Sequence, residues 1–561
     1  MRELKNKLDP AVLVLVVSLI AAGMIYLAAL TPRSFGFYHD DGIYVTTAKA
    51  LATDQGYRII SLPSEPVQTK YPPFYPFLLS LIWRVNPDFP SNILPMMVLS
   101  VLATLASLAL AWFYLTKFRY ASRRQALLVV GLVAINWRTI VLGTGIYSEM
   151  LYTALSLAAL YLAEKYEREW GHWLIACGLG IVMGLALLTR TAGITLLIAV
   201  AFYYVRRRQL RRALLPVAVG GCFVLGWAAW SYLNKSPTEG GVNAAYYTDY
   251  FRDLSQIVTD MQTQNNTSKI AVLLTIAGRN AYMLMVVSVP LVCLGLSYDW
   301  PQSLGGYSSL IALSLIFIAF VLTVVGFLRH RSGGLRLLHI YVISYLGLHL
   351  LWPYGVYDRF LMPLLPFLLL FLITELEWLV RLVRKELRAA SPVANKISAG
   401  FLGLTLLGLI AAGLYGNGVG VYGSLGRSKR AMTSRATEEA NAIDWINEHT
   451  DASDILVCYC DPLYYLYTGR KATRSFSEVG GNYWGHQIDQ RERTKVILRI
   501  VAENNARYLI CTTSDFELQA QPDLQRQGLK ALLEENPRVF VPVFESGNGQ
   551  SVIYRIEKDP S

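Results

Sequence analysis

A chain of 561 residues that is 54% hydrophobic and only 16% charged falls well below the ~25% charge of a soluble globular domain. With a mean hydropathy of +0.37, this composition excludes an ordinary soluble enzyme and leaves a polytopic membrane protein. The net charge of +12 does not point to nucleic acid, because the basic residues gather in loops between apolar runs, where they set orientation and meet anionic headgroups.

In chain order, apolar runs near residues 10–30, 94–115, 125–142, 149–163, 173–189, 193–205, 213–233, 307–328, 336–352, 361–380 and 398–420 are each long enough to cross or nearly cross a bilayer. That predicts about eleven transmembrane helices. The basic N-terminus, Lys117 to Arg124, the Arg206 to Arg212 run, Arg329 to Arg336 and Arg381 to Arg388 then fall on one side, the cytoplasm under the positive-inside rule. A further apolar segment at 281–297 breaks this alternation if it crosses, so it is expected to be re-entrant or interfacial. The first run is long and lacks a small-residue cleavage site, so it is expected to remain as a span. The first outer loop, 31–93, and everything after 427 are therefore extracytoplasmic.

The first run is followed at once by His39-Asp40-Asp41-Gly42. Two adjacent carboxylates at a membrane face repel each other and are costly to desolvate. One of them alone would suffice to cap the helix expected to run through Ala48, Ala50 and Leu51. The loop also contains Lys70-Tyr71-Pro72-Pro73-Phe74-Tyr75-Pro76, a cation beside a backbone stiffened by proline. It is too rich in apolar and aromatic residues to be disordered.

From about residue 427 the composition becomes mixed. A helical pattern at 437–447, strand-like runs at 455–460, 508–511, 539–544 and 552–556, and a helix at 490–504 predict a small C-terminal α/β domain. Residues 1–426 would then be the membrane domain, outer loop included, and 427–561 the extracytoplasmic one. Asp461-Pro462-Leu463-Tyr464-Tyr465 suits either sugar stacking or a buried tyrosine cluster. Cys177, Cys222 and Cys293 lie in apolar runs as small core residues, whereas Cys458, Cys460 and Cys511 lie in a compartment where oxidation can occur.

The acidic pair, the Lys70 motif, Tyr147-Ser148-Glu149, Thr189-Arg190 and Asp358-Arg359-Phe360 before a proline-bearing span recur in an order that resembles the GT-C superfamily of polyprenyl-phosphate-dependent glycosyltransferases. The likeness is to the branch of bacterial protein O-mannosyltransferases and the lipid A aminoarabinose transferase. It implies a GT-C-like fold, an inverting sugar transfer from a polyprenyl phosphate to a protein, lipid or polysaccharide acceptor, and a bacterial inner membrane. On that basis Asp40 is the catalytic base and Asp41 assists. Lys70, Arg359 and Arg190 are candidates for the donor phosphate, while Glu149, Tyr147 and His39 orient the acceptor or the base. A divalent cation (Mg or Mn) between Asp40 and Asp41 is one way to relieve their repulsion.

Bland alternatives stand beside these roles: a snorkelling interfacial lysine at Lys70, a structural ion pair for Arg359, and an Arg190–Glu149 pair. Two other function classes suit a polytopic chain. A lipid-linked saccharide transporter or flippase would string ionisable groups along a central path, whereas this sequence concentrates its unusual charges at one face. A non-catalytic scaffold would show no turnover.

Overall fold

The computed structural model describes residues 9–36, 39–169, 172–235, 248, 255, 258–259, 261–263, 266–297, 307–353, 355–388, 393–475, 490–512, 522–546 and 551–557. Phe37, Tyr38, the basic N-terminus before Asp9 and most of the stretch between 236 and 265 lie outside it.

The membrane part is a helical bundle. Helices α1 (Pro10–Ala29), α4 (Ile93–Lys117) and α10 (Leu210–Leu233) are among seven described helices long and apolar enough to cross a membrane. Shorter apolar helices, α8 (Trp173–Thr189), α9 (Ile194–Arg206) and Leu337–Leu350, fill the positions between them. Exposed Leu13, Val17, Ile20, Met24 and Leu27 on α1 present the apolar face that lipid demands of an outer helix.

The run expected at 125–142 is two helices, α5 (Arg123–Ile135) and α6 (Trp137–Thr144), bent by 61°. Asn136 makes the break. Its side-chain oxygen accepts from Arg138 N at 3.1 Å, capping α6, and its amide donates to Val292 O at 2.8 Å. A buried amide satisfied in this way by two backbone partners stabilises a kink that a continuous helix cannot accommodate.

The segment expected to be re-entrant belongs to a longer helical stretch, Lys269–Leu294, of 26 residues, enough to cross by length and composition. The sequence reading began it at 281 because Arg279 and Asn280 interrupt the apolar run. Asn280 donates to Leu350 O and Trp352 O at 3.1 and 2.7 Å. The other end, at Leu291, Leu294 and Leu296, packs on Ile316, Ala319 and Leu409, each midway along its own helix.

At one end of the bundle, α2 (Asp40–Ala52) and α3 (Phe74–Val85) fold over the helix tips. The C-terminal domain sits on them. Its mixed sheet runs β2-β1-β3-β5-β4, with β1 (Leu456–Cys458) parallel to β2 (Ala472–Arg474) and to β3 (Tyr508–Cys511). Strands β4 (Phe540–Glu545) and β5 (Val552–Ile556) complete it in antiparallel register. The helices Asp461–Thr468 and Pro522–Glu535 and strand β2 have no counterpart in the periodicity reading, being too short or too polar to mark themselves. Helix continues through the expected boundary at 427: Val393–Tyr422, a π turn Gly423–Arg427 and Ser428–His449 follow one another directly.

The domain grips the outer loop by its backbone. Ala472 N donates to Ser61 O at 2.9 Å, and Lys471 Nζ donates to Ile60 O at 2.6 Å. Tyr467 meets Phe89 edge-on at 4.7 Å. Tyr464 and Tyr465 are buried, as is Leu463, so the Asp461 to Tyr465 segment is a packing element and not a sugar platform. Gly36 has a φ of +91°, and a Cβ there would come within 2.4 Å of Leu463 Cδ1. Substituting Gly36→Ala should therefore destabilise the protein by about 1–3 kcal/mol through overpacking and backbone strain. A thermal melt of the detergent-solubilised protein checks it, and an unchanged midpoint would contradict the close approach.

Candidate functional site

Helix α2 begins at Asp40, with His39 as its N-cap at φ 60°, ψ −50°. The adjacent carboxylates diverge. Asp40 Oδ1 accepts from Tyr71 Oη at 2.7 Å and Oδ2 accepts from Arg359 Nη1 at 3.1 Å. Asp41 turns back to the loop, its Oδ2 accepting from Gly36 N and its Oδ1 from Gly42 N, both at 2.8 Å. Asp41, inside the first turn of α2 after the His39 N-cap, thus joins the backbone N–H groups of Gly36 and Gly42, whereas Asp40 faces Tyr71 and Arg359.

That geometry separates the two acids electrostatically. Burial pushes the Asp40 carboxyl up, but Arg359, the Tyr71 hydroxyl, His39 and Arg190 outweigh it and hold Asp40 below its ordinary value. Among the described residues no cation is paired with Asp41. Burial, with a contribution from Asp40, pushes it up to about 7 despite its backbone hydrogen bonds.

Arg359 leaves its neighbour Asp358 to another partner. Asp358 pairs with Arg138 of α6 and accepts from Arg359 N at 2.9 Å. Arg359 is thereby free to reach Asp40, and its side chain keeps 38% exposure against 23% for Asp40. Deeper in the bundle, Arg190, at the break between α8 and α9, pairs with Glu149 at 2.8 Å and donates to Ser148 Oγ at 3.0 Å. Glu149 opens α7 (Glu149–Arg168) and is buried with 4% side-chain exposure. Tyr44 Oη also meets Ser148 Oγ at 3.0 Å, and the Tyr44 ring packs edge-on against Tyr71 at 5.4 Å. Phe360 lies between the two arginines, 5.3 Å from Arg359 and 5.9 Å from Arg190.

The candidates named from sequence therefore divide. Asp40, Arg359, Glu149 and Arg190 converge on one end of the bundle. Lys70 sits beside Tyr71 on a half-buried loop tied to α10 through Trp230 Nε1 to Gln68 O at 3.0 Å and Ser231 Oγ to Thr69 O at 3.1 Å. Tyr147 is buried against Gly145. His39 turns away from the acidic pair to Asp461 of the C-terminal domain, at 2.9 Å.

Asp40 and Asp41 do not form a joint cation site as placed, because all four oxygens are directed to separate partners. No cluster of three or more His, Cys, Asp or Glu suited to a metal ion occurs among the described residues. Tyr71, Ser148, Tyr44, Arg138 and Asp461 are site neighbours given no individual site role from sequence; Tyr71, Ser148 and Asp461 lie inside motifs quoted above, but nothing local marks the distant partners.

The charges are not confined to this end. Glu164, four turns further along α7, accepts from Tyr114 Oη at 2.9 Å and Tyr120 Oη at 2.5 Å and faces Arg336 at 3.4 Å. The sequence reading missed this second cluster because the glutamate occurs in the polar-looking Ala163-Glu164-Lys165 end of a span.

No protein-family model matches the chain, and no curated protein matches it in sequence. Its fold is nevertheless that of solved membrane proteins. It superimposes on the Archaeoglobus fulgidus oligosaccharyltransferase tethered with an acceptor peptide at a TM-score of 0.54 and 12% identity, covering 97% of this chain and 74% of that one. ArnT from Cupriavidus metallidurans in the apo state gives 0.54 and 12%, covering 98% of each chain. ArnT bound to undecaprenyl phosphate gives 0.54 and 12%, covering 96% of this chain and 97% of that one. The archaeal protein in complex with Zn and sulfate gives 0.52 and 12%, covering 95% and 72%. The polytopic helical fold with a small C-terminal sheet domain is thus shared with these two solved membrane proteins.

Since Asp41 titrates near 7 when folded and near 3.9 when unfolded, it contributes stability at low pH that is lost as pH rises through 7. The melting temperature of wild type minus that of Asp41→Asn should fall as pH rises from about 4 to about 7 and level off above that. A pH-independent difference would contradict the buried, largely protonated Asp41.

Proposed function

We propose that the chain is a membrane glycosyltransferase that moves a sugar from a polyprenyl-phosphate carrier to a hydroxyl or amide acceptor at the extracytoplasmic face. The observation that carries this is the Asp40–Arg359 pair at the mouth of a GT-C bundle: a carboxylate able to take a proton, held to a cation able to take a phosphate. The orientation rests on charge, since Arg123, Arg207, Arg212, Arg329 and Arg336 sit at the other end of the helices. A bacterial inner membrane rests on resemblance alone.

The geometry supports the following residue roles. Arg359, planar and half-exposed, is built to bind an incoming phosphate. Lys70, next to Tyr71 in sequence, is the second candidate cation for that phosphate. When phosphate draws Arg359 away, Asp40 loses its strongest counter-charge, while the burial that raises its pKa persists. Asp40 therefore becomes a better base at the moment the donor arrives. It takes the acceptor proton as the acceptor atom bonds to the sugar C1. The C1–O bond to phosphate breaks, and the phosphate leaves with its charge neutralised by Arg359 and Lys70. Tyr71 holds the carboxylate in place. Glu149 and Arg190 neutralise each other and fix the floor through Ser148.

A divalent cation at Asp40 and Asp41 would need both carboxylates to leave their present partners, so no step is derived through one. A transporter is the second reading, favoured by the buried Glu164 cluster at the far end of α7.

Membranes containing wild type should transfer radiolabelled sugar from some member of a polyprenyl-phosphate panel. Asp40→Asn should lower turnover at least ~100-fold without raising donor KM. Arg359→Ala should raise donor KM and shift the acid limb of the pH profile upward, since Asp40 then loses the cation that lowers its pKa. Full activity in Asp40→Asn would remove the base, and labelled lipid crossing the bilayer without transfer would favour the transporter.

A further inference from the structure

The residue immediately before the proposed base is held in a conformation that side chains rarely adopt. His39, at φ 60° and ψ −50°, falls in the backbone region of the strained γ-turn, which is costly for an L-residue with a side chain. Such a conformation persists only where the surroundings over-determine it. Here His39 Nε2 meets Asp461 Oδ1 at 2.9 Å, and both side chains are buried, with 4% and 0% exposure. Asp461 begins the short helix Asp461–Thr468, whose next two residues press on the same loop. A Cβ on Gly42 would lie 2.8 Å from Pro462 Cβ, and one on Gly36 would lie 2.4 Å from Leu463. The His39 carbonyl in turn accepts from Ile43 N at 3.0 Å, forming the first turn of α2. A contact across 422 residues of sequence thus fixes the backbone from which Asp40 projects.

We infer that His39 and Asp461 are a positioning pair, through which the C-terminal domain completes the site by holding Asp40 in line with Arg359 and Tyr71. Neither residue touches a reacting atom. The inference rests on the glycosyl-transfer reading for its catalytic consequence but not for its structural one, and the two are separable by experiment.

The test uses the full-length protein in detergent or vesicles, with two readouts. Hydrogen exchange by mass spectrometry follows the 36–44 segment without any substrate. Transfer from the polyprenyl-phosphate sugar that wild type uses gives kcat and KM. Asp461→Asn, nearly isosteric, should speed exchange in 36–44 and lower kcat about tenfold or more at unchanged donor KM. His39→Ala should do the same. His39→Gly, which also lacks the imidazole but adopts φ 60° without strain, should recover turnover about fivefold or more over His39→Ala.

A merely structural contact would lower the yield of folded protein in all three variants without that Gly-over-Ala order in kcat. Unchanged exchange in Asp461→Asn and His39→Ala would overturn the inference whatever the activity. Faster exchange with full turnover would overturn the positioning role. If wild type transfers no sugar from any donor, the glycosyl-transfer reading fails, and exchange alone then decides whether the pair holds the loop.

Discussion

The ion pair between Asp40 and Arg359 joins residues 319 positions apart and sets the form of everything around it. A carboxylate and a guanidinium brought to a membrane face lose much of their hydration, and removing either partner would leave an unpaired charge that is costly to bury. Three segments must therefore arrive together. The end of α1 delivers α2, the turn before Leu365–Arg388 delivers Arg359, and the Tyr71 loop supplies the second hydrogen bond. The deeper Glu149–Arg190 pair follows the same rule, with Ser148 and Tyr44 satisfying what the pair leaves over.

The proposed function rests on the exchangeability of the outer pair. Arg359 is the more exposed partner and Asp40 the more enclosed, so an anion arriving from the membrane surface competes for the arginine and leaves the carboxylate behind. On that proposal, the contact that stabilises the resting site keeps Asp40 a weak base, and its loss strengthens it. The deeper pair, with Glu149 almost fully enclosed, has no comparable access and is suited to holding shape. Asp41, turned to Gly36 and Gly42, gives the loop its closure without competing for Arg359.

Much of the membrane region was legible in the sequence because apolar length is a strong, local signal. The acidic motif, Arg359, Arg190 and Glu149 were legible because charges are rare beside spans. Pairings were not. Asp358 was the obvious neighbour for Arg359, yet it serves Arg138, since side-chain direction around a 3-10 turn cannot be read from adjacency. The bend at Asn136 has a local part, the cap on Arg138 N, but its second partner, Val292 O, is 156 residues away and has no mark in the local sequence. His39 seemed to belong with the acids beside it, and its partner Asp461 lies in another domain. The short Asp461–Thr468 helix that carries that partner leaves no periodic trace of its own.

The most direct measurement is the titration of Asp40 itself, by infrared difference spectroscopy of wild type against Asp40→Asn, with and without an added polyprenyl phosphate. Exchange of Arg359 from carboxylate to phosphate requires the apparent pKa of Asp40 to lie below the usual carboxylate range in the free protein and to rise when the lipid phosphate binds. An Asp40 titration that is the same with and without saturating lipid phosphate would contradict the coupling of donor binding to base strength.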